Sequence, residues 1–229
     1  MAILVPALNA STEQELLDRC RIIRPLAPPL VQVDVSDGVF GVPKNVAVPS
    51  LVARELHGVR LDIHLMVHDV VGAIGEWRSV MPERITVHCE ALADPRPLLT
   101  EILEGGVTPG LALGPDTKTE RVEPFLYAID FLLFVSVPPG RSGQPFDPRT
   151  IERVRAVRET HPGLNIGVDG GVTAALIPEL LGAGATTICA ASAIFDANDP
   201  REAYKELKRL VDGGPPEGSR SDPKGTLES

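Results

Sequence analysis

Short apolar runs alternate with amphipathic stretches along almost the whole chain. Most of these runs are near-continuous Val, Ile and Leu, a pattern typical of parallel strands that are buried on both faces. The stretches between them carry apolar residues at helical spacing. The runs lie at residues 3–8, 30–35, 59–65, 85–87, 110–113, 129–137, 164–168 and 187–190.

This succession of strand and helix units predicts an α/β fold of one domain, the closed parallel TIM-type (β/α)8 barrel. A chain of 229 residues with 43% hydrophobic residues is long enough for one such core. The alternative is a doubly wound open sheet, which also alternates but usually has fewer strands at this length. We expect the barrel to span residues 1–212 and the Gly-, Pro- and Ser-rich residues 213–229 to form a disordered tail.

Several of the helical stretches begin with recognisable capping signals. Residues 11–15 offer two overlapping capping boxes, and Asp147 followed by Pro148 is typical of a helix start. The last two helices are predicted at residues 173–181 and 199–211. The helix after the fifth strand is the least well defined, because its segment is short and contains Pro124.

Charge and composition limit the classes of function. The formal net charge of −9, without a basic stripe, argues against a nucleic-acid partner. The three cysteines lack metal-binding or redox spacing and favour free thiols in a reducing compartment. No apolar run reaches membrane-spanning length, and the N-terminus lacks the pattern of a signal peptide. We therefore expect a cytoplasmic protein that binds no membrane.

Polar side chains occupy the predicted C-terminal ends of several strands, where barrels of this class carry their working residues. Gln32, Asp34 and Ser36 share one face of the second strand by alternation, and His64 lies near the end of the third. A carboxylate at Asp34, inside an apolar run, is costly to bury without a partner. A single buried histidine is usually a core residue with its hydrogen bonds satisfied, so His64 by itself does not indicate a functional site.

Asp169 ends the seventh strand, so Asp34 and Asp169 should project into one mouth from nearly opposite strands. With His64 between them, these side chains could hold a divalent metal. A base, an acid and an electrophile together suit proton removal beside a carbonyl, with the metal stabilising an enediolate. His88 and Glu90 follow the fourth strand, where a structural role is the more typical interpretation.

The loops after the seventh and eighth strands favour a phosphate site. They carry Gly170-Gly171 and Ala191-Ser192, and both lead into helices. Glycine lets the backbone approach a ligand, helix N-termini present free N–H groups, and barrels commonly bind phosphate at these loops. The Gly- and Pro-rich loop at residues 138–144 is interpreted as a mobile lid or, alternatively, as a surface connector.

Several segments together resemble the ribulose-phosphate 3-epimerase family. Residues 33–40, Val-Asp-Val-Ser-Asp-Gly-Val-Phe, resemble that family's D-V-M-D-G-x-F, and residues 61–66, Leu-Asp-Ile-His-Leu-Met, resemble its L-D-V-H-L-M. The resemblance extends from residue 3 to about residue 211 with the motifs in the same order. Further matching segments lie at residues 85–91, 110–115, 137–144, 168–172 and 192–195.

This resemblance implies a metal-assisted epimerisation at the third carbon of a ketose phosphate, which converts ribulose 5-phosphate to xylulose 5-phosphate. It implies that Asp34 and Asp169 are the paired acid and base. It also implies one divalent ion, Zn, Fe, Mn or Co, held by Asp34, His64, Asp169 and the Gln32 position, and a homo-oligomer. The substrate- and phosphate-binding residues that it implies are Asn9, Met66, Gly140, Ser142, Gly143, Gly170, Gly171, Ala191 and Ser192.

The sequence departs from the family pattern at the substrate end of the site. Gln32 stands where the family has a metal-binding histidine, and an amide oxygen is a poorer ligand for a transition metal. Ser36 and Val135 replace two methionines, and residues 6–9 read Pro-Ala-Leu-Asn instead of Ser-Ile-Leu-Ser. Two alternatives are therefore an epimerase or isomerase for another sugar phosphate, and a non-catalytic phosphometabolite-binding paralogue. The retained aspartates and histidine argue against the second.

Overall fold

The computed structural model describes residues 1–40, 43–138 and 143–214. Its eight parallel strands close into a barrel in chain order, with the last strand paired to the first. The predicted TIM-type (β/α)8 barrel is confirmed, because an open sheet would leave two edges unpaired. Residues 215–229 of the predicted tail lie outside the described residues. The strands are β1 (Ile3–Leu8), β2 (Val31–Ser36), β3 (Leu61–Met66), β4 (Arg84–His88), β5 (Thr108–Leu113), β6 (Phe131–Val135), β7 (Asn165–Asp169) and β8 (Thr187–Ala190).

Helices connect most of the strands and surround the barrel. None in the described part of the chain is long and apolar enough to cross a membrane. The α-helices are α1 (Glu13–Ile23), α2 (Pro49–Glu55), α3 (Val70–Arg78), α4 (Arg96–Glu104), α5 (Arg149–Thr160), α6 (Ile177–Ala183), α7 (Ser192–Phe195) and α8 (Pro200–Val211). The 3-10 helices are Arg24–Leu26, Cys89–Ala91, Thr119–Arg121, Glu123–Ala128 and Ala174–Leu176.

The connection from β5 to β6 departs from strict strand–helix alternation. It contains the 3-10 helices Thr119–Arg121 and Glu123–Ala128 instead of an α-helix. Pro124 lies in the first turn of the second of these, where its missing N–H is tolerated. Pro124 also has no N–H with which to extend the hydrogen bonding of the first short helix, which ends at Arg121. The predicted helix at 173–181 likewise begins with a 3-10 turn.

The capping signals in the sequence correspond to real contacts. The Thr12 hydroxyl oxygen accepts a hydrogen bond from the Glu15 N–H at 3.2 Å, and the Glu15 carboxylate accepts from the Ser11 N–H at 2.8 Å. The N-cap of α5 is Pro148, one residue after the predicted Asp147, but the Asp147 carboxylate still accepts from the Arg149 N–H at 2.9 Å. Both helices therefore begin with their first N–H groups partly satisfied by side chains.

The interior of the barrel is filled at its N-terminal end by a group that we call the basal layer: Asp62, Arg84, Thr86 and Phe131. The Arg84 guanidinium lies 2.6 Å from an Asp62 oxygen and 3.2 Å from the centroid of the Phe131 ring. Gly167 makes room for that ring, since a Cβ on it would lie 2.4 Å from a ring carbon. The basal layer fills the barrel interior at this end, and the cavity lined by Asp34, His64 and Asp169 lies at the C-terminal ends of the strands.

Candidate active site

Three ionisable side chains from three strands meet at the C-terminal mouth of the barrel. Asp34 of β2 is paired in register with His64 of β3, and Asp169 is the last residue of β7. Their ligand atoms all lie within 4.8 Å of one another, and the three residues line the same cavity. The structure thus brings together the three residues that the sequence pattern places at this end of the barrel.

Direct contacts join these side chains, and Gln32 bridges the two carboxylates. His64 Nδ1 lies 3.0 Å from Asp34 Oδ1 and 3.9 Å from Asp169 Oδ2. Gln32 Nε2 donates to Asp34 Oδ1 at 2.9 Å and to Asp169 Oδ2 at 2.8 Å. The thiol of Cys189 donates to Gln32 Oε1 at 3.1 Å. In this orientation the amide nitrogen faces the carboxylates, so Gln32 would have to turn its amide over to become a fourth metal ligand.

The environment of Asp169 favours its protonated form. Burial raises the pKa of this carboxyl, the nearby charge of Asp34 raises it further, and His64 and Gln32 oppose the shift, which brings it to about 6. A carboxyl with such a pKa exchanges its proton readily near neutral pH. This is the property expected of a general acid or base.

The environment of His64 favours its charged form. Burial disfavours the imidazolium, but the hydrogen bond to Asp34 and the charges of Asp34 and Asp169 outweigh it and raise the pKa of His64. The imidazolium offsets part of the negative charge of the two carboxylates. A cation that bound here would displace the proton on Nδ1, so its affinity would depend on pH.

The donor set fits a divalent cation. Two carboxylates and one imidazole are ligands that Zn, Mn, Fe and Co accept, and the donor atoms converge on one point of the cavity. The group formed by Asp34, His64 and Asp169 can therefore hold a divalent ion.

The predicted phosphate loops lie on the other side of the same cavity. Gly170 and Gly171 have φ values of +94° and +66°, a conformation that favours glycine. A Cβ on Gly171 would also lie 2.6 Å from the backbone nitrogen of Phe146. Gly140, Ser142 and most of the predicted lid lie outside the described residues. The other predicted substrate residues that line the cavity are Asn9, Met66, Gly143, Ala191 and Ser192.

His88, first interpreted as structural, contacts His64 directly, and Glu90, interpreted in the same way, contacts His88. His88 Nε2 lies 2.9 Å from His64 Nε2, and His88 Nδ1 lies 3.1 Å from Glu90 Oε2. The signal that could have identified them is the carboxylate two residues after a histidine at the end of β4, one strand from His64. Val135, Val137, Val172 and Cys189 also line the cavity and form its apolar wall.

Comparison with known proteins supports the same interpretation. Residues 3–195 match the model of the ribulose-phosphate 3 epimerase family. The ribulose-phosphate 3-epimerase, cytoplasmic isoform, of Oryza sativa subsp. japonica is 33% identical over 198 residues, which cover 84% of this chain and 86% of the relative. The ribulose-phosphate 3-epimerase of Schizosaccharomyces pombe is 31% identical over 187 residues, covering 79% of this chain and 81% of that protein.

Among solved structures, KGPDC from Streptococcus mutans matches with a TM-score of 0.70 and 16% identity, covering 93% of this chain and 98% of that chain. At this identity the structural match shows the barrel fold alone. The sequence matches go further, because the family model extends over residues 3–195, a range that contains Asp34, His64 and Asp169. The chain belongs to the ribulose-phosphate 3-epimerase family.

Proposed function

We propose that this protein is a metal-assisted ketose-phosphate 3-epimerase that interconverts ribulose 5-phosphate and xylulose 5-phosphate. The observation that carries the proposal is the convergence of Asp34, His64 and Asp169 within 4.8 Å beside the glycine loop of β7. The names of the curated relatives support the choice of substrate.

In this mechanism Asp34 and Asp169 act as an acid and base pair. One ionised carboxylate removes the proton from the third carbon, and the electron pair of that C–H bond moves into an enediolate with the neighbouring carbonyl. The other carboxyl, protonated beforehand, delivers its proton to the opposite face of the same carbon. The pKa of about 6 at Asp169 suits either role near neutral pH. After one turnover the protonation states are exchanged, and the reverse reaction or exchange with water restores them.

The two carboxylates and His64 are also the proposed holders of the cation. A divalent ion (Zn, Fe, Mn or Co) bound there supplies a Lewis acid for the negative charge of the enediolate oxygens. Gln32 ties both carboxylates through its amide nitrogen and so fixes their separation. Because Asp34 and Asp169 come from different strands, this tether contributes to their orientation.

The phosphate group is proposed to lie on the loops that follow β6, β7 and β8. Gly143, Gly170, Gly171, Ala191 and Ser192 line the cavity on that side. Backbone N–H groups in such loops can bind a phosphate without a lysine or arginine. An anchored phosphate would hold the third carbon of the sugar between the two carboxylates.

A second candidate is epimerisation of another sugar phosphate. Asn9 and Val135 both line the cavity, and both differ from the family pattern described above. Such changes alter the shape and polarity of the pocket near the substrate while leaving the acid and base pair in place. The two candidates therefore share a mechanism and differ in substrate.

The test is a turnover assay on the purified protein with ribulose 5-phosphate, in which xylulose 5-phosphate is measured directly. We expect product in the presence of Mn²⁺, Zn²⁺, Co²⁺ or Fe²⁺ and a loss of activity after chelation. Other ketose phosphates in the same assay separate the two candidates. Failure of every ketose phosphate with every metal would refute an epimerase function and leave a binding role.

The remaining expectations concern partners and location. A cytoplasmic location is supported by the name of the rice relative, a cytoplasmic isoform. We propose a sugar phosphate as the only ligand class besides the metal, without a nucleic-acid or membrane partner. A homo-oligomer remains a prediction, which light scattering during gel filtration tests.

A further inference from the structure

A chain of buried hydrogen bonds runs from the mouth outward through His64, His88 and Glu90. Asp34 Oδ1 contacts His64 Nδ1 at 3.0 Å, His64 Nε2 contacts His88 Nε2 at 2.9 Å, and His88 Nδ1 contacts Glu90 Oε2 at 3.1 Å. Both imidazoles are 1% exposed, so water does not compete for these bonds. The chain ends at Glu90, whose other oxygen accepts from the Gly114 N–H at 2.8 Å and from the Thr117 hydroxyl.

The chemistry of the partners sets the direction of these hydrogen bonds. Glu90 accepts from two donors and, as an ionised carboxylate, has no proton to give, so His88 Nδ1 must carry the hydrogen. Burial opposes the ionised form, but hydrogen bonds from His88, Thr117 and Gly114 keep the pKa of Glu90 at about 2. The two Nε2 atoms lie 2.9 Å apart and can share only one hydrogen, and a neutral His88 that carries its hydrogen on Nδ1 has none on Nε2. His88 Nε2 is therefore the acceptor and His64 Nε2 the donor.

We propose that His88 and Glu90 are positioning residues that keep a hydrogen on His64 Nε2, so that Nδ1 is the nitrogen left to coordinate a cation. The inference deepens the proposed function and rests on its metal site. Metal-bound histidines usually donate their second N–H to a carboxylate or carbonyl, which fixes the ring and its tautomer. Here a second imidazole stands between that N–H and the carboxylate.

The position of the carboxylate is itself fixed from a neighbouring helix. Arg153 of α5 donates to the carbonyl oxygens of Gly114 at 3.1 Å, Pro115 at 3.2 Å and Thr117 at 2.6 Å. These bonds hold the loop after β5, which supplies two of the donors to Glu90. The acceptor end of the chain is thus held in place by contacts within the protein.

The direct test is ¹⁵N NMR of the histidine rings in the metal-free wild-type protein. We expect a neutral His88 with its hydrogen on Nδ1 and a bare Nε2, and a His64 that carries a hydrogen on Nε2. A His88 ring with its hydrogen on Nε2, or protonated at both nitrogens at neutral pH, would overturn the proposal. This measurement needs no variant and no substrate.

The second test is Glu90→Gln, because an amide has only one acceptor oxygen and cannot replace both sides of the carboxylate. We expect Mn²⁺ or Zn²⁺ affinity, measured by calorimetry, to fall about 10- to 100-fold, with altered His88 ring signals. Thr117→Val removes one donor to Glu90 at nearly constant volume and should act in the same direction, with a smaller effect. Asp116→Asn is the matched control, since its carboxylate is on the same loop but is 86% exposed.

These outcomes separate the positioning role from the proposed activity. Loss of metal affinity in Glu90→Gln but not in Asp116→Asn, together with the expected tautomers, supports the proposal even if ribulose 5-phosphate is not turned over. Unchanged metal affinity and ring signals in a folded Glu90→Gln protein would overturn it even if the wild type is an active epimerase. A wild-type protein that binds no divalent ion would overturn it as well.

Discussion

The barrel buries charged side chains in two places, and the two are built on different principles. In the basal layer Asp62 and Arg84 are 0% and 8% exposed and lie 2.6 Å apart, so each charge has an opposite partner. At the mouth, Asp34 and Asp169 place two carboxylates within 4.8 Å of each other. One imidazole and one amide offset that repulsion.

Opposite charges in the basal layer indicate a structural ion pair, whereas like charges at the mouth indicate a reactive site. A buried ion pair with matched charges can be replaced by apolar residues without loss of stability, so its role is in packing. Like charges held together raise the free energy of the folded state and push a pKa toward neutrality, as at Asp169. Such an arrangement contributes little to stability and is typical of sites that move protons.

The largest expected effect is on turnover when either mouth aspartate loses its acid function. Asp34→Asn and Asp169→Asn should each lower kcat/KM for the sugar phosphate by about 10²- to 10⁴-fold, because general acid–base catalysis contributes that much. The free energy of unfolding should not fall. Steady-state assays and urea denaturation check both, with Asp130→Asn at the opposite end of the barrel as control. Full activity in either mouth variant would refute the paired mechanism.

The basal layer should respond in the opposite way. Asp62→Asn leaves Arg84 as a buried charge without its carboxylate and should lower the free energy of unfolding by about 3–5 kcal/mol. The activity of the protein that remains folded should be unchanged. Replacing both partners with apolar residues, Asp62→Leu with Arg84→Met, should recover most of the lost stability. If Asp62→Asn had the same free energy of unfolding as the wild type, the Asp62–Arg84 pair would contribute no more to stability than the carboxylates at the mouth.

The pH dependence of stability should distinguish the mouth from the rest of the chain. The pKa of Asp169 in the folded protein is about 6, above its ordinary value of 3.8. The stability that this group contributes is therefore present below about pH 3.8 and is lost as the pH rises through 6. Two pKa units correspond to about 3 kcal/mol.

Urea denaturation with a chelator present checks this effect, with Asp169→Asn as the reference. The variant should match the wild type near pH 4 and exceed it by up to about 3 kcal/mol at pH 7.5. A difference that stays constant across this range would mean that the pKa of Asp169 is not raised in the folded protein.

The smallest effect is expected for Gln32→His, whose metal affinity tests whether position 32 is a ligand position. An imidazole should bind a transition metal better than an amide does, and we expect affinity to increase about tenfold. Calorimetry with Zn²⁺ or Mn²⁺ measures it. Unchanged affinity would show that position 32 is not a ligand position and that Gln32 acts only as the tether between the carboxylates.

Much of the mouth was predictable because strand alternation fixes which side chains point inward. Asp34 and His64 follow from the two-residue period of β2 and β3, and Asp169 from the end of β7. The contact between His64 and His88 was not predictable, since it depends on the register of β3 against β4 and on ring rotamers. The orientation of the Gln32 amide depends on Cys189, which lies 157 positions away in the sequence.

Sequence signals that act over a few residues predicted some parts of the fold and not others. Helix starts at Thr12 and Asp147 were predictable because capping acts within a few residues. The β5–β6 connection was not, because Pro124 indicates where an α-helix is disfavoured without saying what replaces it. The basal layer depends on Gly167 facing Phe131 across two strands, which sequence spacing does not reveal.

The most direct test of the central claim is NMR of ribulose 5-phosphate with the wild-type protein in heavy water, with and without a divalent metal. The paired acid and base mechanism predicts xylulose 5-phosphate with deuterium at the third carbon, because a protein carboxyl that exchanges with solvent supplies the new proton. Asp34→Asn and Asp169→Asn should each form this deuterated product about 10²- to 10⁴-fold more slowly, because each variant lacks the acid or base for one face of that carbon. Neither product nor deuterium at that carbon with the wild type and any metal would contradict the account, and the mouth would then be a binding site without proton transfer.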